Sequence, residues 1–147
     1  AMRAAEGERL KRALVEQLEG LARVVDGVEP LVAVAREEKE EKLRGAAERV
    51  GELEPEMRTR LLQEIAVYGE KTDVREEVDR LRAHLEQAGG KLDAAGPVGR
   101  ALDFICQELT REFNTLGVKA SRSDLNQLAL EGKERVETLR EQVQNVE

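Results

Sequence analysis

Residues 121–147 read SRSDLNQLALEGKERVETLREQVQNVE, and in them Leu125, Leu128, Gly132, Val136, Leu139, Val143 and Val146 follow one another at intervals of three and four. Those intervals put all seven on one stripe of a helix, because helical faces recur about every 3.6 residues and strand faces every two. Ser121 or Ser123 is placed to cap this helix. Gly132 inside the stripe predicts close approach by another backbone.

The same reading extends towards the N-terminus. Gly96-Pro97 opens a helix with Leu102, Ile105, Leu109 and Leu116 in its seam, Phe104 and Phe113 on its flanks, and Gly117 as its stop. Before it, Asp73 and Glu76 have the spacing of a capping box, and Val74, Val78, Leu81 and Leu85 carry a seam to Gly89-Gly90. Pro55 starts a shorter helix with Met57, Leu61, Leu62, Ile65 and Ala66, ending near Gly69. Leu14, Leu18, Leu21, Val25 and Val28 define a first helix over residues 2–29, which Pro30 ends while opening a second. Residues 37–42 of that second helix are nearly all charged, so it is expected to be solvated and mobile. No stretch alternates with period two and no internal repeat stands out. The expected fold is all-α, with long amphipathic helices packed as a bundle or hairpin array in one domain over residues 1–147.

Composition limits what such a domain can do. Charged residues are 37% of the chain and aromatic residues 2%, with no Trp, so the core must be Leu, Val, Ile and Ala. That core is thin, and the long seam of the last helix predicts self-association. A net charge of -7 argues against a generally basic nucleic-acid binder, so RNA contact must be local and no DNA partner is expected. Tyr68, Phe104 and Phe113 are the only rings, which excludes a single-strand groove lined with aromatics. No apolar run approaches the roughly 18 residues of a membrane span, and the N-terminus has no signal-like apolar core, so a cytoplasmic protein is expected. Cys106 is the only cysteine, which rules out an internal disulfide and reads as a small buried residue.

Two polar stripes could carry chemistry. Asp73, Glu77, Arg80 and His84 are spaced four, three and four apart, and such carboxylates and an imidazole could bind a hard cation and move protons. An N-cap, a helical ion pair and a surface His would account for the same residues. On the next helix Arg100, Asp103, Gln107, Arg111 and Asn114 recur at three and four, beside Glu108 and Glu112. Guanidinium and amide groups there suit phosphates and base edges, and equally suit a hydrogen-bond network between packed helices.

Several strings resemble the bacterial YicC family: KTDVREEVDRLRAH at 71–84, GPVGRALDF at 96–104, QELTREFNTLGVK at 107–119 and REQVQNVE at 140–147, in the family's order and separation. A looser likeness reaches back to MRAAEG at 2–7. The resemblance implies a cytoplasmic, stress-linked endoribonuclease that cuts single-stranded RNA with a divalent metal, Mg²⁺ or Mn²⁺, and works as a homo-oligomer, a hexamer at full length. It also implies that this chain is the C-terminal helical part of a longer protein with a β-containing N-terminal domain. Ala101, Cys106 and Thr110 stand where the family usually has Lys, Leu and Asn, and residues 121–124 replace an Asn-Asp-rich stretch.

Carried onto this chain, the resemblance makes Asp73, Glu77, Asp103, Glu108 and Glu112 the candidate metal ligands. His84, Glu108 and Glu112 become the candidate catalytic groups. Arg80, Arg100, Gln107, Arg111, Asn114 and Lys119 become the candidate RNA contacts. The alternative from another class is a structural module that oligomerises and clamps RNA without catalytic residues of its own.

Overall fold

A computed structural model describes residues 1–94 and 96–145, in five helices: α1 (Met2–Val50), α2 (Pro55–Lys71), α3 (Arg75–Asp93), α4 (Gly99–Lys119) and α5 (Ser123–Gln144). Among the described residues there is no strand, as the absence of period-two alternation predicts.

Four of the helices close a ring of contacts in the order α1, α3, α4, α5 and back to α1. Their shared core holds Leu14, Leu21, Val25 and Val28 of α1, Val78 and Leu81 of α3, Leu102, Ile105, Leu109 and Leu116 of α4, and Leu125, Val136, Leu139 and Val143 of α5. Every seam read from the sequence therefore contributes to one bundle, apart from that of α2. Helix α2 buries no residue and packs lightly on α1, so α2 and the part of α1 beyond Ala35 form an arm outside the bundle. Lys39 ties this arm by donating to the Gly69 carbonyl at 2.7 Å, and the Lys42 ammonium sits 5.4 Å from the Tyr68 ring centre.

Several local expectations need correction. Pro30 does not divide the first two helices, since α1 runs through it from Met2 to Val50. A mid-helix Pro costs about 3 kcal/mol. Val28 before it is fully buried, and Leu31, Val32 and Ala35 after it pack on the core, so burial on both sides holds one axis. Arg82 of α3 adds a clamp, reaching Asp26 at 3.0 Å and Glu29 at 2.7 Å. Gly117 does not stop α4, which continues to Lys119; an added Cβ there would meet Ala129 only in ordinary van der Waals contact. Neither serine caps α5, whose N-cap is Arg122 in extended conformation, bonded to Asp124. The capping box does not form: the N-cap of α3 is Val74, Asp73 stands one residue outside it and accepts from the Arg75 N–H at 3.1 Å, and Glu76 turns to Arg80.

Phe113 is not on a flank. It is fully buried, and the close approach at Gly132 is made by its ring and not by a backbone, for an added Cβ at Gly132 would overlap that ring. The α5 seam is covered by α1 and α4 of the same chain, which removes it as the reason for self-association. Val146, which continues the seam in sequence, lies outside the described residues. Large apolar side chains stand exposed on the arm instead, at Met57, Leu62 and Val67. Among the described residues no helix is long and apolar enough to cross a membrane.

Candidate functional site

Helices α3 and α4 lie side by side and leave an open cleft of about 510 Å³ lined by Arg80, Ala83 and His84 from α3 and by Glu108, Arg111, Glu112 and Thr115 from α4. The residues reach it by helical spacing: Arg80 and His84 are one turn apart, and so are Glu108, Glu112 and Thr115. Arg80 bridges the helices, with Glu76 at 3.0 Å on its own helix and the buried Glu112 at 3.5 Å on the other. The Glu112 charge, foremost, raises the Arg80 guanidinium further above its ordinary range, so it stays cationic. His84 has a buried Nδ1 without a hydrogen-bond partner, and Glu108 enters none of the described ion pairs.

Beside the cleft runs a second link of opposite sense. Glu77 of α3, only 2% exposed, accepts from the Lys119 ammonium of α4 at 3.0 Å, while its Oε2 has no partner. Each helix thus gives the other one acid and one base. The two pairs hold α3 against α4 along the cleft. Glu77 and Arg80 are not partners of each other in this arrangement.

The remaining candidates go elsewhere. Asp73 precedes the first residue of α3, so helical spacing does not carry it to the Glu77 and His84 face. It is paired with Arg75 at 2.8 Å, and the hydrogen bonds from that guanidinium hold its carboxyl down at about 2. Asp103 is nine residues before Glu112, half a turn out of phase at about 100° per residue. It faces α5, accepting from Arg140 there at 2.8 Å and from Gln107 of its own helix at 3.1 Å. Arg100, Gln107, Arg111 and Asn114 are exposed along α4, and Lys119 is the partner of Glu77.

Another hollow, of about 230 Å³, lies between α1 and the turns before α3 and α5. Its cations are already engaged: Arg36 with Glu40, Lys39 with a carbonyl and Arg75 with Asp73. In the α3–α4 cleft Arg80 is engaged too, but Arg111 enters none of the described ion pairs, which makes that cleft the better candidate. Cys106 is buried, and burial pushes its thiol up to about 11, which suits a packing residue and not a nucleophile.

Among the described residues no three His, Cys, Asp or Glu side chains come together in a way that could hold a metal ion. The five expected ligands do not form a cage. Glu108 and Glu112 alone share the cleft, which suits only an ion that keeps most of its water and relies on substrate phosphates. Sequence reasoning missed the Arg80–Glu112 and Glu77–Lys119 pairs because both join residues far apart in the chain. It also missed the exposure of Phe104, which has a signal in the sequence: Phe104 shares a helical face with Arg100, Gln107 and Arg111.

Comparison with known proteins bears on the same helices. The family model for Endoribonuclease YicC-like, C-terminal, matches residues 28–147, all of α2 to α5 and the second part of α1. A Haemophilus influenzae protein named "Probable endoribonuclease YicC" is 38% identical over 148 residues, covering 100% of this chain and 50% of its own. A Clostridioides difficile protein of the same name is 33% identical over 150 residues, with 99% and 50% covered. The chain spans about half the length of the curated relatives it matches. Matched over the whole of α3, α4 and α5, and so over both walls of the cleft, the chain belongs to the YicC-like endoribonuclease family and corresponds to that family's C-terminal region.

Proposed function

We propose that this chain supplies the RNA-handling and cleaving cleft of a cytoplasmic endoribonuclease that acts on single-stranded RNA. The observation that carries the reading is the convergence of Arg80, His84, Glu108, Arg111 and Glu112 on one open cleft in a chain of net charge -7. Arg111 and Arg80 would hold phosphates, since planar guanidinium groups match phosphate oxygens. Glu112 fixes Arg80, and His84 would hold or move a proton at the sugar or the leaving oxygen. Glu108 and Glu112 are the residues that would hold Mg²⁺ or Mn²⁺, which when bound activates water and offsets phosphate charge.

The test is cleavage of an unstructured RNA by the full-length protein with Glu108→Gln or Arg111→Ala. Glu108→Gln should abolish cutting with RNA binding retained, and Arg111→Ala should weaken binding and lower its salt dependence. EDTA should stop the reaction, and product ends should be 3′-hydroxyl and 5′-phosphate. Cyclic-phosphate ends formed at full rate in EDTA and lost in His84→Ala would overturn the metal-dependent route.

A second reading, an RNA-clamping and oligomerising module, is favoured by one observation: Glu112 is already committed to Arg80 and leaves Glu108 as the one unpaired acid in the cleft. Unchanged cleavage by Glu108→Gln would select it. Homo-oligomerisation, as a hexamer at full length, would draw on the exposed Met57, Leu62 and Val67 of the arm. Sedimentation as a strict monomer at tens of micromolar would count against that.

A further inference from the structure

The geometry points to Phe104 as a base-stacking residue, holding one nucleobase of a single-stranded RNA laid along the outer face of α4 and so setting which phosphate reaches the α3–α4 cleft. It rests on the reading of that cleft as an RNA site and adds a nucleobase subsite to it.

The chain has two Phe, and they are used in opposite ways: Phe113 is wholly buried in the bundle, while Phe104 is 61% exposed. A ring on a water-facing stripe of a well-packed helix forgoes burial that a bundle with so few rings could have used. Its neighbours are chemically selective. Arg100, Phe104, Gln107, Arg111 and Asn114 all face solvent, and at about 100° per residue they fall within an arc of about 80°. Carboxylates stand only at its borders, Asp103 on one side, held by Arg140 and by the Gln107 amide, and Glu108 on the other, while Glu112 is buried against Arg80. Arg100 and Arg111 enter none of the described ion pairs. Two guanidinium groups for phosphates, amides for base edges and one ring for a base face complement a single strand, whose unstacked bases offer those surfaces.

Distance supports the link to the cleft. Phe104 is one helical turn from Glu108 and two from Arg111, about 6 and 10 Å along the axis. A base stacked on the ring would therefore belong to a nucleotide close to the phosphate at Arg111. A protein partner fits this face less well: the next large exposed apolar residue on the stripe, Val118, is about 21 Å away, too far to form one apolar patch.

The chain contains no Trp, so Phe104→Trp installs a single reporter. Its emission is followed while an unstructured oligoadenylate is added, with anisotropy of the same labelled RNA read in parallel. Emission should be quenched at the midpoint of the anisotropy change, and an RNA duplex of equal length should quench far less. Phe104→Ala should weaken binding about tenfold to hundredfold, with Phe104→Tyr close to the parent. Binding without quenching, together with Phe104→Ala within twofold of the parent, overturns the stacking role and leaves the cleft reading standing. Emission that changes with protein concentration in the absence of RNA marks the ring as a protein contact and also overturns it. Failure of the parent chain to bind RNA at all overturns both readings.

Discussion

Lys119→Met isolates the buried charge beside the cleft. Glu77 is 2% exposed, its Oε2 has no partner, and its Oε1 relies on the Lys119 ammonium at 3.0 Å. Removing one member of a buried pair strands the other charge, at about 3–5 kcal/mol. The Lys119 side chain is 26% exposed, so some water can follow the lost ammonium and the lower figure, about 3 kcal/mol, applies. For a domain of this size that lowers the thermal midpoint by about 10 °C. Replacing both partners, Glu77→Leu with Lys119→Met, should return stability to within about 1 kcal/mol of the parent, because the penalty belongs to the orphaned charge and not to the lost attraction. Urea unfolding followed by far-UV circular dichroism, as a double-mutant cycle, measures both. Arg80→Met is the internal comparison and should destabilise less, since Glu112 lines an open cleft that water can enter. A Lys119→Met variant within about 1 kcal/mol of the parent, or a double variant no better than the single one, would refute the argument.

Gly132→Ala should destabilise by about 2 kcal/mol, as overlap with the Phe113 ring outweighs better helix propensity, whereas Gly89→Ala, which meets open space in α3, should stabilise by about 0.5–1 kcal/mol; urea midpoints compare the two. The Cys106 thiol, buried and pushed up to about 11, should react with a thiol reagent only as fast as the protein opens; reaction at the rate of free cysteine would show it accessible. Asp73 is held down at about 2 from 3.8, so its contribution is present above the unfolded value and lost as pH falls towards about 2. Asp73→Asn should therefore lower stability near pH 7 by no more than about 0.5 kcal/mol, the scale of a screened surface pair, and the gap should close in acid; a gap that widens on acidification has the wrong sign.

What the sequence determined by itself is the class of structure and the apolar faces. Val78 and Leu81, Leu102 to Leu116, and Leu125 to Val143 all lie in the core, because a spacing of three and four is a local property of the chain and one buried face per helix follows from it. The family was legible too, from strings in α3 and α4 whose order matters more than any single residue. Tertiary structure decided which neighbours each face meets. Helix α4 lies between α3 and α5, so its buried arc is wide enough to take in Phe113 and Glu112, leaves Phe104 in water, and turns Asp103 towards Arg140 on the opposite side from Glu112. Pro30 stays inside α1 because core contacts lie on both sides of it, and the α5 seam is satisfied within the chain because α1 folds over it. Periodicity assigns an angle round one helix axis; whether that angle meets solvent, an apolar wall or an opposite charge depends on helices distant in sequence, as Lys119 is from Glu77.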